Sequence, residues 1–171
     1  MSAGKGGQRR VLVAGIGNVF LGDDGFGVEV VTRLAGRRLP ASVQVGDYGI
    51  RGFDLAYALM EDYDAAILVD ALPLGREAGA LGVLEPDLVE LDGLGLVDGH
   101  GMNPVEVFRL VKQFGGRLPP TLLIVGCQPG TFGPENEGQL GLSDPVAASV
   151  DEAVGLVESL MERVTQRQEV G

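Results

Sequence analysis

The sequence predicts an α/β fold: one domain built as a three-layer α/β/α sandwich around a mostly parallel, twisted sheet of about five strands. Three observations predict it. Short β-branched runs recur, VLVAG at 11–15, VQVGD at 43–47, AAILVD at 65–70 and TLLIVGC at 121–127, and such runs suit parallel strands covered on both faces. Segments of helical spacing separate them, and a βαβαβ order implies right-handed crossovers in a doubly wound sheet. The length of 171 residues is enough for a single core that buries roughly 70% of the unfolded chain's surface without staples.

Residues 1–8 read as a flexible tail, 9–165 as the folded domain and 166–171 as a frayed end. The opening MSAGKGGQRR is basic, but no apolar stretch of signal-peptide type follows it. After the first strand, GFGVEVVTRLAGR places Phe26, Val30, Val31 and Leu34 on one helical face, and Gly36 supplies a stop. The second helix is expected in GFDLAYALMEDY, 52–63, leading into the third strand. ALGVLEP, 80–86, reads as a strand near the sheet edge because Pro86 ends it. Asn103 is placed to cap a helix with Pro104 at its first position and Glu106 at its third, ahead of Val107, Phe108, Val111 and Phe114. The last helix starts with Asp144 as cap and Pro145 next, then sets Val146, Val150, Val154, Val157, Met161 and Val164 in one stripe. The long irregular stretch at 128–143 has the length of loops that shape sites.

Charge narrows the function classes. Thirteen basic against 24 acidic side chains give a net charge of −11, a field that repels phosphate backbones, so nucleic acid is not an expected partner. The single cysteine, Cys127, cannot form an internal disulfide, and no stretch reaches the ~20 apolar residues of a spanning helix. A cytoplasmic, reduced protein with no membrane partner is expected, and nothing demands more than a monomer.

Open parallel sheets bind ligands beyond the carboxyl ends of their strands. Those positions are polar here: Asn18, Asp23 and Asp24 after the first strand, Asp47 in the turn after the second, Asp70 ending the third, and Gln128 after the run at 121–127. His100 precedes the capped helix. Asp24, Asp70 and His100 offer two carboxylates and an imidazole with positions left open, a set that suits zinc, nickel or non-haem iron. The positive end of the helix behind His100 disfavours the imidazolium and keeps a lone pair available.

Other readings compete. Asp23 or Asp24 can cap the following helix, and His100 can be a surface residue. A dinucleotide site is suggested by GIGNVF after a strand, but Phe20 stands where a third small residue belongs. There is no G-x-S-x-G elbow for a serine nucleophile, and Cys127 with His100 is a conceivable dyad, although a cysteine ending an apolar strand is usually a small core residue. A non-catalytic, chaperone-like binding module using the same acidic cleft is the alternative from another class.

Taken together, GIGNVFLGDDGFGV, the Asp70 strand end in AAILVDAL and DGHGMNP before a helix resemble the hydrogenase maturation endopeptidases, which trim the large subunit of nickel-iron hydrogenases. The similarity runs from about Arg10 to Val164. It implies a metal-dependent or aspartyl-type endopeptidase in which Asp24, Asp70 and His100 contact the metal and carry the catalysis, and Asp47 takes part in substrate recognition. It also implies that nickel arrives with the large-subunit precursor, that other divalent metals can substitute in the isolated protein, and that a short C-terminal extension is removed. Two positions depart from the pattern: relatives often have glutamate at Asp24, and DYGIRG stands in place of a DGGT-like turn.

Overall fold

The structure, a computed structural model, describes residues 8–87, 103–130 and 140–166. Residues 1–7 of the expected tail, His100, residues 131–139 of the expected long loop and residues 167–171 of the expected frayed end lie outside the described residues, whereas Gln166 belongs to the last helix. Five strands form one sheet: β1 (Val11–Ile16), β2 (Val43–Gly49), β3 (Ala65–Ala71), β4 (Leu81–Leu84) and β5 (Thr121–Cys127), in the order β2-β1-β3-β5-β4. All pairings are parallel except β4 with β5. The edge strand expected at 80–86 is β4, set antiparallel with Leu81 opposite Cys127.

Alternation along the strands builds two cores. In β1, Val11 and Val13 face the layer made by α1 (Phe26–Ala35) and α4 (Asp144–Gln166), whereas Leu12, Ala14 and Ile16 face α2 (Gly52–Leu59) and α3 (Pro104–Gln113). Every residue of β1 and β3 is buried, and each Val, Leu or Ile so enclosed contributes about 1.5–3 kcal/mol. The expected faces hold. Phe26, Val30, Val31 and Leu34 of α1 pack with Val150, Val154 and Val157 of α4, and Val107, Phe108 and Val111 of α3 pack with Leu55 and Leu59 of α2.

Helix ends show where local chemistry prevails. The Asn103 side chain accepts from Glu106 N–H at 3.0 Å, with Pro104 at the first helical position. α4 differs by one residue from expectation, since the Ser143 carbonyl already accepts from Ala147 N–H at 2.8 Å. α2 ends at Leu59, short of Tyr63. Gly36 closes α1 in right-handed geometry, with φ −81°, so that stop needs no left-handed residue.

From β1 the chain runs outward to β2, then returns past β1 to β3. Reversal of direction opens a crevice beyond the carboxyl ends of β1 and β3, the place where doubly wound sheets bind ligands.

Candidate active site

Between β1 and α1 the chain makes a 3-10 turn, Gly22–Gly25, carrying Asp23 and Asp24. Gly17 lets this turn fold back on the strand end. Its φ is +135°, and a Cβ there would stand 1.8 Å from the Asp24 carbonyl oxygen. Gly27 brings α1 onto the sheet, for a Cβ would meet the Val69 carbonyl oxygen at 2.1 Å. These glycines therefore serve chain packing, and the turn separates α1 from the G-x-G, so a pyrophosphate has no helix N-terminus directly after Gly17. The dinucleotide reading loses its physical basis.

The two adjacent aspartates point to different tasks, and neither caps a helix through its side chain. Asp23 is fully buried and accepts from Gly130 N–H at 2.7 Å, Ser143 N–H at 2.7 Å and the Ser143 hydroxyl at 2.8 Å. It fastens the β1–α1 connection to both sides of the segment between β5 and α4. Asp24 is half-buried, and one of its oxygens accepts from Asn18 N–H at 2.7 Å. Burial raises its pKa, against the lowering effect of that hydrogen bond.

Asp70 is the penultimate residue of β3, at its carboxyl end and opposite Gly126 of β5. It is 2% exposed, and its Oδ1 has no hydrogen-bond partner among the described residues. Burial lifts its pKa well above the ordinary carboxylate value, the negative charge of Asp24 adds to the rise, and the Ala71 N–H opposes it. A buried carboxylate oxygen without a donor is costly, and a second carboxylate beside it makes the pair a place for a cation or a proton.

Among the described residues no group of three His, Cys, Asp or Glu side chains is placed to hold a metal. Asp24 and Asp70 are the two members of the expected set among the described residues, and His100, the third, lies outside them. The chemistry of the pair suits a divalent cation, which would take the place of the proton that burial favours on Asp70 and give its unpartnered oxygen a positive neighbour.

Asp47 lies elsewhere from its expected turn. β2 continues to Gly49, so Asp47 is inside the strand, exposed, beside Gly15 of β1. Its carbonyl accepts from the Arg51 guanidinium, which also pairs with Asp54 at 3.5 Å. Gln128 is structural, its Oε1 accepting from Leu74 N–H at 2.5 Å. Cys127 is fully buried, and burial, aided by the Asp23 charge and opposed by the Gly79 N–H, pushes its thiol to about 11. Such a thiol is protonated at neutral pH and is no nucleophile.

The sequence profile of the hydrogenase maturation proteases matches residues 28–160. The chain belongs to the hydrogenase maturation protease family. It is 32% identical over 166 residues to the hydrogenase expression/formation protein HupD of Rhizobium leguminosarum bv. viciae, covering 94% of this chain and 80% of that one. With the hydrogenase 2 maturation protease of Escherichia coli it shares 30% over 147 residues, 85% of this chain and 86% of the other. The fold matches the hydrogenase-maturating endopeptidase HybD of E. coli with a TM-score of 0.75 at 28% identity, covering 90% and 93% of the two chains. A hydrogenase 2 maturation peptidase from a Thaumarchaeota archaeon matches at 0.68 and 32% identity, covering 90% and 99%.

Both crevice carboxylates have raised proton affinity, and Asp24 is fixed besides by the Asn18 N–H. Sequence reading pointed to Asp24 and Asp70 but missed the task of Asp23. Its signal was the repeated aspartate itself, since adjacent residues in a tight turn project in different directions.

Proposed function

We propose that this hydrogenase maturation protease removes a short C-terminal extension from the large-subunit precursor of a nickel-iron hydrogenase after nickel insertion. The observation that carries the reading is the pair of crevice carboxylates, Asp70 with a donor-free buried oxygen and Asp24 beside it. Nickel already seated in the precursor is the cation that the pair meets, with His100 as the third ligand, and other divalent ions take its place in the isolated protein. Recognition of the metal thus gates cleavage and makes the enzyme metal-dependent.

Hydrolysis follows from the same groups. Water attacks the scissile carbonyl and gives its proton to a free carboxylate oxygen of the pair. The C–N bond then breaks, and the departing amine takes that proton. Asp47, exposed at the carboxyl end of β2, contacts the substrate at the rim. No helix among the described residues is long and apolar enough to cross a membrane, and the reading places a monomer in the cytoplasm, where the precursor is assembled.

The test is the mass of purified precursor, nickel-loaded and nickel-free, before and after incubation with the protein and with Asp70→Asn and His100→Ala. Loss of a C-terminal fragment from the loaded precursor alone, abolished in both variants, is expected. Trimming of the nickel-free precursor, or full activity of both variants, would overturn the reading.

A further inference from the structure

Three aromatic rings stack on the outer surface of α2 and α3 while remaining in water. Phe53 and Tyr57, one helical turn apart on α2, are 61% and 59% exposed, and Phe114, just past α3, is 39% exposed. The Phe114 ring centre lies 6.0 Å from that of Phe53 and 5.2 Å from that of Tyr57, with interplanar angles of 23° and 16°. Ile50, in the turn that leads into α2, is 60% exposed. Stacking orders these rings before any partner arrives, and ordered aromatic anchors lose little entropy on binding.

The ridge leads to the crevice. Gly17 N–H donates to the Gly49 carbonyl at 2.9 Å, joining the turn of Ile50 to the loop of Asn18, Val19 and Phe20. Val19 and Phe20 are also exposed, at 41% and 64%. Exposed apolar side chains thus recur from the Asp24 loop through Ile50 to the stacked rings, interrupted by the exposed Arg51–Asp54 pair, and the Gly17–Gly49 hydrogen bond ties the α2 end of this series to the loop that carries Asp24.

We propose that this ridge docks the folded body of the hydrogenase precursor, through an apolar and non-acidic patch beside its C-terminal extension. The inference rests on the function proposed above and names where that substrate is held. A second copy of this chain fits the ridge poorly. Two copies would bring −11 against −11, a like-charge approach that slows association and opposes it. The area is also short for a stable dimer: at about 150–250 Å² per aromatic side chain, Phe53, Tyr57, Phe114 and Ile50 with Val19 and Phe20 leave roughly 600 Å² accessible, less than the about 800 Å² per partner that a stable interface buries. Joined to contacts in the crevice, that area suits an enzyme and a substrate that must part after one cleavage.

The experiment compares wild type with the double variant Phe53→Ser, Tyr57→Ser on nickel-loaded precursor, measuring trimming kinetics and, in parallel, binding of the same precursor by calorimetry. Both positions are exposed, so the circular dichroism melt should be unchanged; if it is not, Ile50→Ser takes the double variant's place. KM and Kd are expected to rise about tenfold with kcat within about twofold, as loss of an aromatic hot spot gives, while the ring-preserving pair Phe53→Tyr, Tyr57→Phe restores both toward wild type. Unchanged KM and Kd would overturn the docking surface. A wild-type dimer at micromolar concentration that the double variant abolishes, with KM unchanged, would overturn it in favour of a second copy. If wild type does not trim the precursor, the proposed function fails, and the calorimetric comparison still decides the ridge.

Discussion

Asp23 is tied to Ser143, 120 positions away, by two hydrogen bonds: the Ser143 backbone N–H donates at 2.7 Å and its hydroxyl at 2.8 Å. Gly130 N–H adds a third at 2.7 Å. One buried carboxylate thereby fastens the turn that carries Asp24 to the start of α4.

Asp23→Ala is expected to destabilise the protein by about 3 kcal/mol or more, because hydrogen bonds to a charged acceptor contribute about 1.5–3 kcal/mol each and three are lost together. Ser143→Ala removes the hydroxyl alone and should cost about half as much. Urea unfolding midpoints of the two variants and wild type check the ranking, and midpoints equal to wild type would show that the clamp contributes nothing.

Asp70 makes the fold pH-sensitive in an identifiable direction. Its folded pKa stands well above the 3.8 of the free side chain, so the folded state keeps a proton that the unfolded chain releases, and stability falls as pH rises from about 3.8 toward the folded value. Asp70→Asn removes this titration. The difference in melting temperature, variant minus wild type, should grow as pH is raised above the ordinary carboxylate range. A constant difference would mean that Asp70 is not perturbed.

Glycine substitutions should separate by position. In Gly27→Ala the new methyl meets the Val69 carbonyl oxygen at 2.1 Å and the Ile16 carbonyl oxygen at 2.5 Å; overpacking against backbone should cost about 1–3 kcal/mol or more. Gly155→Ala, in the middle of α4 with nothing within 4 Å of the added carbon, should gain about 0.5–1 kcal/mol. Thermal unfolding of both variants is the check.

These contrasts show what a sequence can disclose. The capped start of α3 and the apolar stripe of α4 are legible because their causes are local: Asn103, Pro104 and Glu106 lie within four positions, and Val146, Val150, Val154 and Val157 follow the helical period. The crevice was legible from topology, which puts the ends of β1 and β3 side by side. The Asp23 clamp, the Gln128 bridge to Leu74 and the continuation of β2 past Asp47 were not, because each depends on partners brought together by the sheet. The stacked ridge of Phe53, Tyr57 and Phe114 was hidden for the same reason: nothing local to Phe114 shows that its ring meets two rings of α2.

Cys127 gives the last prediction, and it concerns the class of the protease. The thiol is fully buried at the end of β5, and burial together with the Asp23 charge pushes it to about 11, so at neutral pH about one thiol in ten thousand is ionised. Iodoacetamide reacts with the thiolate and should leave the folded protein unmodified for hours at pH 7 while labelling it promptly in urea. Cys127→Ala should retain precursor trimming, with a modest stability loss of about 1 kcal/mol from the vacated volume. Rapid alkylation of the native protein with loss of trimming, or an inactive but folded Cys127→Ala, would move the chemistry from the carboxylate pair to the sulfur.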